Sequence, residues 1–320
     1  MTATQVDVTA ILVNYNTAHL LQPSIDALRV AAQGCSLQII TIDNASRDDS
    51  VRVLQTQYAD CECIFNSVNV GFGRANNQAL PLLRGRFVLL LNTDAFVAPD
   101  TLVKTLRYMQ DHPDCGVLGV KLVGRDGELQ PSCRYFPTPW NVFLARSGLA
   151  RWLPRTRMVD DMGWDHTSVR ECDWVPGCYY LVRREVVDQV GLFDPRYFLY
   201  FEEVDHCRAV KRAGWKVVYF PDTTVMHIGG ESAQSDAALT ASGRQISALQ
   251  IESELLYFRK HHGLFGAALS VKLNAIADVV LTLKWLIKRR PLQGLRAYLD
   301  HAVAVLRLFR QTAWGTRPTR

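Results

Sequence analysis

"VLLLNTDAFV", residues 88–97, decides the fold. Four apolar residues in a row show no alternation, which marks a strand covered on both faces, as in the centre of a parallel sheet. The run then stops in Asn92, Thr93 and Asp94. Open α/β sheets carry their ligands outside the carboxyl ends of the strands, so three polar side chains at that end are placed to meet one. The competing reading gives Asp94 to a turn, or to the cap of a helix begun at Pro99 and Asp100.

The surrounding pattern repeats this one. "VTAILV" (8–13), "LQIITI" (37–42), "FVLLL" (87–91) and "CGVLGVKLV" (115–123) read as strands, and helical patterns lie between them at 18–32, 47–58, 73–84 and 100–111. Strict alternation of this kind defines βαβ units and a mostly parallel sheet. Asp126-Gly127 predicts a hairpin after the last strand. Residues 131–172, with four prolines and no clean period, read as an irregular excursion of the kind that forms lids and substrate loops. At 320 residues, 48% hydrophobic and 21% charged, the chain can bury a full core and is not disordered. Its first residues, "MTATQVDVTAILV", show no secretory signal. Eight scattered cysteines without a CxxC pair argue for free thiols in a reducing compartment and against zinc.

Polar clusters recur at the strand ends: Asn14 and Asn16; Asp43, Asn44 and Ser46; the loop "NVGFGRANN" with Asn69, Gly71, Gly73, Arg74 and Asn76; and Asn92, Thr93 and Asp94. Any one can be a helix cap, and Ser46 or Asp48 fits that role. Four on one edge describe a pocket. "GFGRAN" lacks the third glycine of a dinucleotide fingerprint and follows the wrong strand, and no Gly-Lys-Ser/Thr of a P-loop occurs. Further on, "FEEVDHC" sets Glu202, Glu203 and Asp205 at a helix start, and "VMHIGG" sets His227 beside a strand. A helix N-terminus stabilises an ionised carboxylate by about 0.3–1 kcal/mol, which alone explains such residues in many helices. The aromatic approach "GLFDPRYFLYF" adds a wall that raises a carboxylate's pKa towards that of a useful base.

The series "ILVNYN", "IDNASRDDS", "NVGFGRANNQAL", "LLLNTDA", "WVPGCYYLVRREVVDQVGLFDPRYFLYFEEVDHCRAVKRAGW" and "VMHIGG" resembles the inverting family 2 glycosyltransferases of the GT-A fold, in their rhamnosyltransferase-like branch, over residues 6–232. The resemblance implies a Rossmann-like GT-A nucleotide-sugar-binding fold, α/β with a mostly parallel central sheet. It further implies a nucleotide-sugar donor, Mg²⁺ or Mn²⁺, and transfer to an acceptor hydroxyl with inversion. It assigns Asp43 to the imide N–H of a uracil or thymine base, with Asn14 and Asn16 beside it and residues 69–76, including Asn69, Gly71, Arg74 and Asn76, closing over the diphosphate. Asn92, Thr93 and Asp94 fall at the metal motif, of which Asp94 is the last position and Asn92 replaces the first aspartate. His227 stands where some members place a second metal ligand. Glu203 stands at the catalytic base, as Glu where the pattern has Asp, with Asp205 as an alternative. Trp174 and Gly177 fall at the acceptor sugar's site, although so large an apolar ring equally fits a core. Arg183 and Arg184 fit a solvated strand end.

Charge divides the chain: the 62 residues from Arg259 hold 12 Lys and Arg against two Asp, a net +10, which leaves −5 on residues 1–258 of a +5 protein. The expected organisation is a catalytic domain over 6–262, with donor and acceptor halves meeting near residue 124, and a basic helical tail over 263–320. Lys272, Asp278 and Lys284 interrupt the most apolar stretch, which argues against a membrane span. Residues 295–310 gather Arg296, Asp300, Arg307 and Arg310 on one side of a helix, and "KRRP" at 288–291 adds positive charge. That composition suits a helix lying in an anionic membrane interface, or a helical hairpin packed on the body or between copies of the chain. The implied partners are a lipid-linked saccharide acceptor and a membrane surface, with no nucleic acid. The implied location is the cytoplasmic face of the plasma membrane, and the implied donor is dTDP-L-rhamnose. Two other classes compete: a nucleotidyltransferase, which would want a Gly-rich loop where "NYNTAHLL" stands, and a non-catalytic nucleotide-sugar or lipid-binding module.

Overall fold

The computed structural model describes residues 6–229, 244–289, 291 and 295–320; residues 1–5, Gly230 of "VMHIGG" and Arg290 of "KRRP" lie outside the described residues. The chain forms two compact units. One takes Met1–Arg134, Met162–Pro195 and Glu202–Ala241; the other takes Tyr135–Asp161, Arg196–Phe201 and Ser242–Arg320.

The first unit is built on a 10-stranded sheet. β1 (Val6–Asn14), β2 (Leu37–Asp43), β3 (Glu62–Phe65) and β4 (Gly85–Leu91) run parallel in the order β3-β2-β1-β4. Beyond β4 the order continues β9-β6-β10-β5. Here β5 is Ala95–Val97, β6 Cys115–Val123, β9 Tyr179–Arg183 and β10 Lys216–His227. β6 and β10 are parallel, whereas β9 lies antiparallel between β4 and β6. Two short strands, β7 (Leu129–Gln130) and β8 (Arg170–Glu171), pair on β6 and β10. The expected hairpin is present, with Gly127 at φ 78 in its turn and Leu129 opposite Val123.

Helices α1 (Ala18–Ala31), α2 (Ser50–Gln57), α3 (Phe72–Gln78) and α4 (Thr101–Asp111) connect the early strands. Leu21, Ile25 and Leu28 of α1 pack in one core with Leu12 of β1, Leu89 of β4 and Met109 of α4. Each such side chain contributes about 1.5–3 kcal/mol by leaving water. β1 and β4 approach so closely that a Cβ on Gly85 would sit 2.3 Å from the Thr9 backbone nitrogen, so only glycine fits there. α3 ends earlier than its pattern predicts, because Pro81 lacks the N–H a longer helix needs and the chain tightens into a 3₁₀ turn over Leu80–Leu82. α6 (Arg184–Val190) and α7 (Glu202–Arg212) complete this unit.

The second unit is helical. The excursion read as irregular contains α5 (Pro139–Ser147), which begins with a reciprocal cap between Thr138 and Asn141 and ends on Gly148 in the left-handed conformation. Its prolines are start signals here, since Pro139 occupies the first turn where no N–H is required. α8 (Arg244–Ile287) is broken at Gly263 (φ 68, ψ −169) and α9 is Leu295–Gln311, while the unit itself takes the chain from Ser242, ahead of the tail start expected at 263. By length and composition alone α8 could cross a membrane. Within the second unit it packs on α5 and α9, with Leu273 and Ala277 buried against Phe143 and Leu144.

Candidate active site

Register in the parallel strands sets the first polar edge. Asn14 pairs with Asp43, the last residue of β2, and the Asn14 side-chain amide donates to Asp43 Oδ1 at 2.9 Å and to Ser46 Oγ at 3.1 Å. The Ser46 N–H donates to Asp43 Oδ2 at 3.0 Å, and Ser46 Oγ accepts from the Asn16 N–H at 2.9 Å. Ser46 therefore organises this edge, while Asp48 is the local cap, accepting from the N–H groups of Ala18 and Ser50. Asp43 is 1% exposed with both oxygens engaged, and Asn14 is fully buried. Asn14 thus orients Asp43 from beneath rather than lining the pocket.

The loop before α3 is held to the same edge. The Asn44 amide donates to Asn69 Oδ1 at 2.8 Å, which also accepts the Gly71 N–H at 2.9 Å. Gly71 has φ 88, a conformation that favours glycine. Two residues of the loop are tied into the protein itself. The Asn76 amide bonds inside α3, to Phe72 O at 2.9 Å, and Arg74 Nε donates to Pro195 O at 2.7 Å.

Asp94 is not a helix cap. α4 begins after Asp100, whereas the Asp94 carboxylate faces His227, with Oδ1 3.6 Å from Nε2. Gln130 fixes the ring: its amide donates to His227 O at 2.9 Å, so its Oε1, 3.0 Å from Nδ1, accepts from Nδ1–H. That leaves the Nε2 lone pair towards Asp94. Burial pushes the His227 pKa down, against the pull of Asp94 upwards. A carboxylate and an unprotonated imidazole nitrogen facing each other fit a hard divalent cation. Among the described residues no group of three or more His, Cys, Asp or Glu could hold one alone, so the remaining ligands must come from substrate oxygens and water, as is usual for Mg²⁺. Asn92 Oδ1 is buried beside them without a hydrogen-bond partner among the described residues.

Glu203 stands in the first turn of α7. Desolvation raises its pKa, countered by its own N–H, the Arg134 charge and the N–H groups of Val204 and Gly177. Its Oε2 is buried with no hydrogen-bond partner among the described residues. An unsatisfied buried carboxylate oxygen is costly, and such groups concentrate where a ligand completes them. Asp205, two residues on, projects about 200° around the helix from Glu203, which removes the geometric basis for it as an alternative base.

Cys178 joins the two carboxylates. Its carbonyl accepts the Asn92 N–H at 3.1 Å, and its thiol pKa is raised by burial and then by the charges of Asp94 and Glu203. The Cys178 backbone thus borders the strand end that leads to Asp94. Gly177 borders Glu203: a Cβ there would lie 3.8 Å from Phe72 and 3.9 Å from Glu203. Trp174, expected against the acceptor, is 5% exposed, and Arg134 lies 4.2 Å over its ring. It packs rather than presents a stacking face. Arg183 is not solvated; its guanidinium is buried and donates to the carbonyls of Cys115 and Met109. Gln130, Arg134 and Cys178 have no sequence signal of their own, because hairpin pairing and the antiparallel insertion of β9 bring them here.

An α/β sheet of this strand order, with carboxylates and a facing histidine at its strand ends, has the arrangement of the GT-A fold. The model of the family "Glycosyltransferase like family 2" matches residues 5–248, and the chain belongs to that family: it is a glycosyltransferase. Among curated proteins it is similar to the N-acetylglucosaminyl-diphospho-decaprenol L-rhamnosyltransferase of Mycobacterium tuberculosis, at 28% identity over 71% of this chain and 78% of that one. It is also similar to rhamnosyltransferase WbbL of Escherichia coli, at 27% identity over 59% of this chain and 72% of that one. Among solved structures it resembles the mannosyltransferase PcManGT from Pyrobaculum calidifontis in complex with GDP-Man and Mn2+, with TM-score 0.55 and 16% identity over 98% of this chain and 88% of that one. It also resembles GalNAc-T7 with UDP, GalNAc and Mn2+, with TM-score 0.54 and 14% identity over 79% of this chain and 47% of that one. These structures support the fold.

Proposed function

We propose that the protein transfers L-rhamnose from dTDP-L-rhamnose, with inversion, to a hydroxyl of a polyprenyl-diphosphate-linked saccharide. Asp43, oriented by Asn14 and Ser46, accepts the imide N–H of the base. The loop from Asn69 to Gly71 covers the diphosphate. Asp94 and His227 would hold a divalent cation, which would neutralise the charge growing on the leaving diphosphate. Glu203 takes the proton from the acceptor hydroxyl as that oxygen attacks the anomeric carbon and the bond to the diphosphate breaks. General-base help of this kind is worth about 10²–10⁴-fold. One displacement from the face opposite the leaving group inverts the centre.

The observation that carries this reading is the Glu203 carboxylate oxygen, buried with no partner among the described residues, beside the Gly177–Cys178 segment that also bonds the Asn92 end of the strand leading to Asp94. A binding module needs Asp94 and not Glu203. The choice of rhamnose rests on the two rhamnosyltransferase relatives, and that of a lipid-linked acceptor on the Mycobacterium tuberculosis one alone. Such an acceptor is met at a membrane, which the basic C-terminal helices suit, on the side where nucleotide sugars are made. The test is transfer from a panel of nucleotide sugars to a short-chain polyprenyl-diphosphate N-acetylglucosamine, with Mn²⁺, Mg²⁺ or chelator. dTDP-L-rhamnose should be the preferred donor and chelator should abolish transfer. Preference for another donor would overturn the sugar assignment.

A further inference from the structure

We infer that the outward face of α8 beyond Gly263 is a docking surface for an anionic lipid bilayer, on which the helix lies in plane. The inference deepens the membrane reading above and rests on it only for which membrane is met.

α8 is inside out. Taking Phe265 as origin and about 100° per residue, Ile276, Val279, Leu283, Leu286 and Ile287 all fall within about 60° of it. All six are exposed, Phe265 and Ile287 at 79%. Along the axis the stripe runs for about 33 Å at about 1.5 Å per residue, and its one charge is Lys272, whose long stem can lie along apolar surface while its ammonium reaches polar headgroups. The polar residues point the other way. Ser270 and Asn274 donate to Glu254 Oε1 at 2.8 and 3.3 Å. Asp278 accepts from Arg146 at 2.5 Å and from His301 at 2.8 Å, and Lys284 donates to Ser147 O at 2.6 Å. A helix in water has the opposite arrangement.

What covers the stripe follows from charge. Lys272 lies on it, Lys288 and Arg289 follow the helix at its C-terminal end, and α9 exposes Arg296, Arg307 and Arg310. A second copy meeting this face across a two-fold axis would set these cations against themselves, whereas anionic headgroups neutralise them. A span is disfavoured as well: α9 turns its arginines outward while packing on α8, so lipid cannot surround the pair. The sequence points to α9 as the membrane helix; α9 does expose Leu299, Val303 and Leu306 among its arginines, but the longer apolar stripe belongs to α8.

Flotation of the full chain with phosphatidylcholine vesicles, with and without phosphatidylglycerol, tests this. The wild type should float with the anionic vesicles. Phe265→Ser/Val279→Ser/Leu283→Ser/Ile287→Ser should lower partitioning at least about 100-fold, and Lys272→Glu about fivefold or more on anionic vesicles alone. Donor hydrolysis in solution should be unchanged in both, which separates loss of docking from failure of the catalytic reading. A wild type that stays unbound, a fourfold variant that floats normally, or a dimer that the fourfold variant dissociates would overturn the inference.

Discussion

At the scale of single residues, the site rests on carboxylates held in unlike surroundings. Burial raises the Glu203 pKa, and the charged and titratable groups facing it are Arg134, Cys178, Tyr180 and Cys207. A raised folded-state pKa means that the folded protein binds the proton more tightly than the unfolded chain. The associated stability is present below pH 4.5 and is lost as pH rises through the folded value. Glu203→Gln should therefore melt higher than wild type at pH 7 and equally at pH 4, a difference read by thermal denaturation at the two pH values. Equal melting throughout would show that the carboxylate is solvated. Asp94→Asn should lower kcat about 10²-fold or more and weaken the response to Mn²⁺, read in a metal titration of transfer, because Asn leaves the ion with less negative charge. Asp94 and Glu203 stand out in the chain because each sits at an element's end, where an apolar pattern stops. Gln130, which sets the His227 tautomer, does not, since only the pairing of Leu122 with Gln130 brings it beneath that ring.

At the scale of elements, the first polar edge depends on β1 and β2 ending in register. Asn14→Ala removes the donor to Asp43 Oδ1 in a fully buried place and should cost about 1–3 kcal/mol, measured by urea denaturation, with weaker binding of dTDP or UDP in parallel. Unchanged stability would mean that Ser46 alone holds Asp43. Gly85→Ala drives a methyl into the Thr9 backbone and should cost about 1–3 kcal/mol or more, by the same measurement. The buried strands were readable as uninterrupted apolar runs, and β1, β2, β4 and β6 fall where those runs do. α5 was not readable as a helix, because Pro137 and Pro139 look like breakers until Thr138 and Asn141 are seen to cap one another. Trp174 misleads for a related reason. Its sequence position is that of a sugar-stacking ring, but its bridge to Arg134 turns it into the packing.

At the scale of the whole molecule, the charge asymmetry at Arg259 announced a second kind of surface, while its partners were hidden: Tyr135–Asp161 joins the C-terminal helices although some hundred residues separate them in sequence. Asp278 binds these pieces together. Burial pushes its pKa up, but His301 and Arg146 outweigh this and hold it below the ordinary range. Asp278→Ala leaves the partly buried Arg146 guanidinium and His301 without their acceptor and should destabilise the chain by about 1–3 kcal/mol, seen as earlier unfolding in denaturant. The central claim, a cation-held diphosphate leaving on one side and Glu203 drawing a proton on the other, is tested most directly by measuring Glu203→Gln for nucleotide-sugar affinity and for transfer together. The account predicts unchanged donor affinity and transfer reduced about 10²–10⁴-fold. Transfer at the wild-type rate would contradict it.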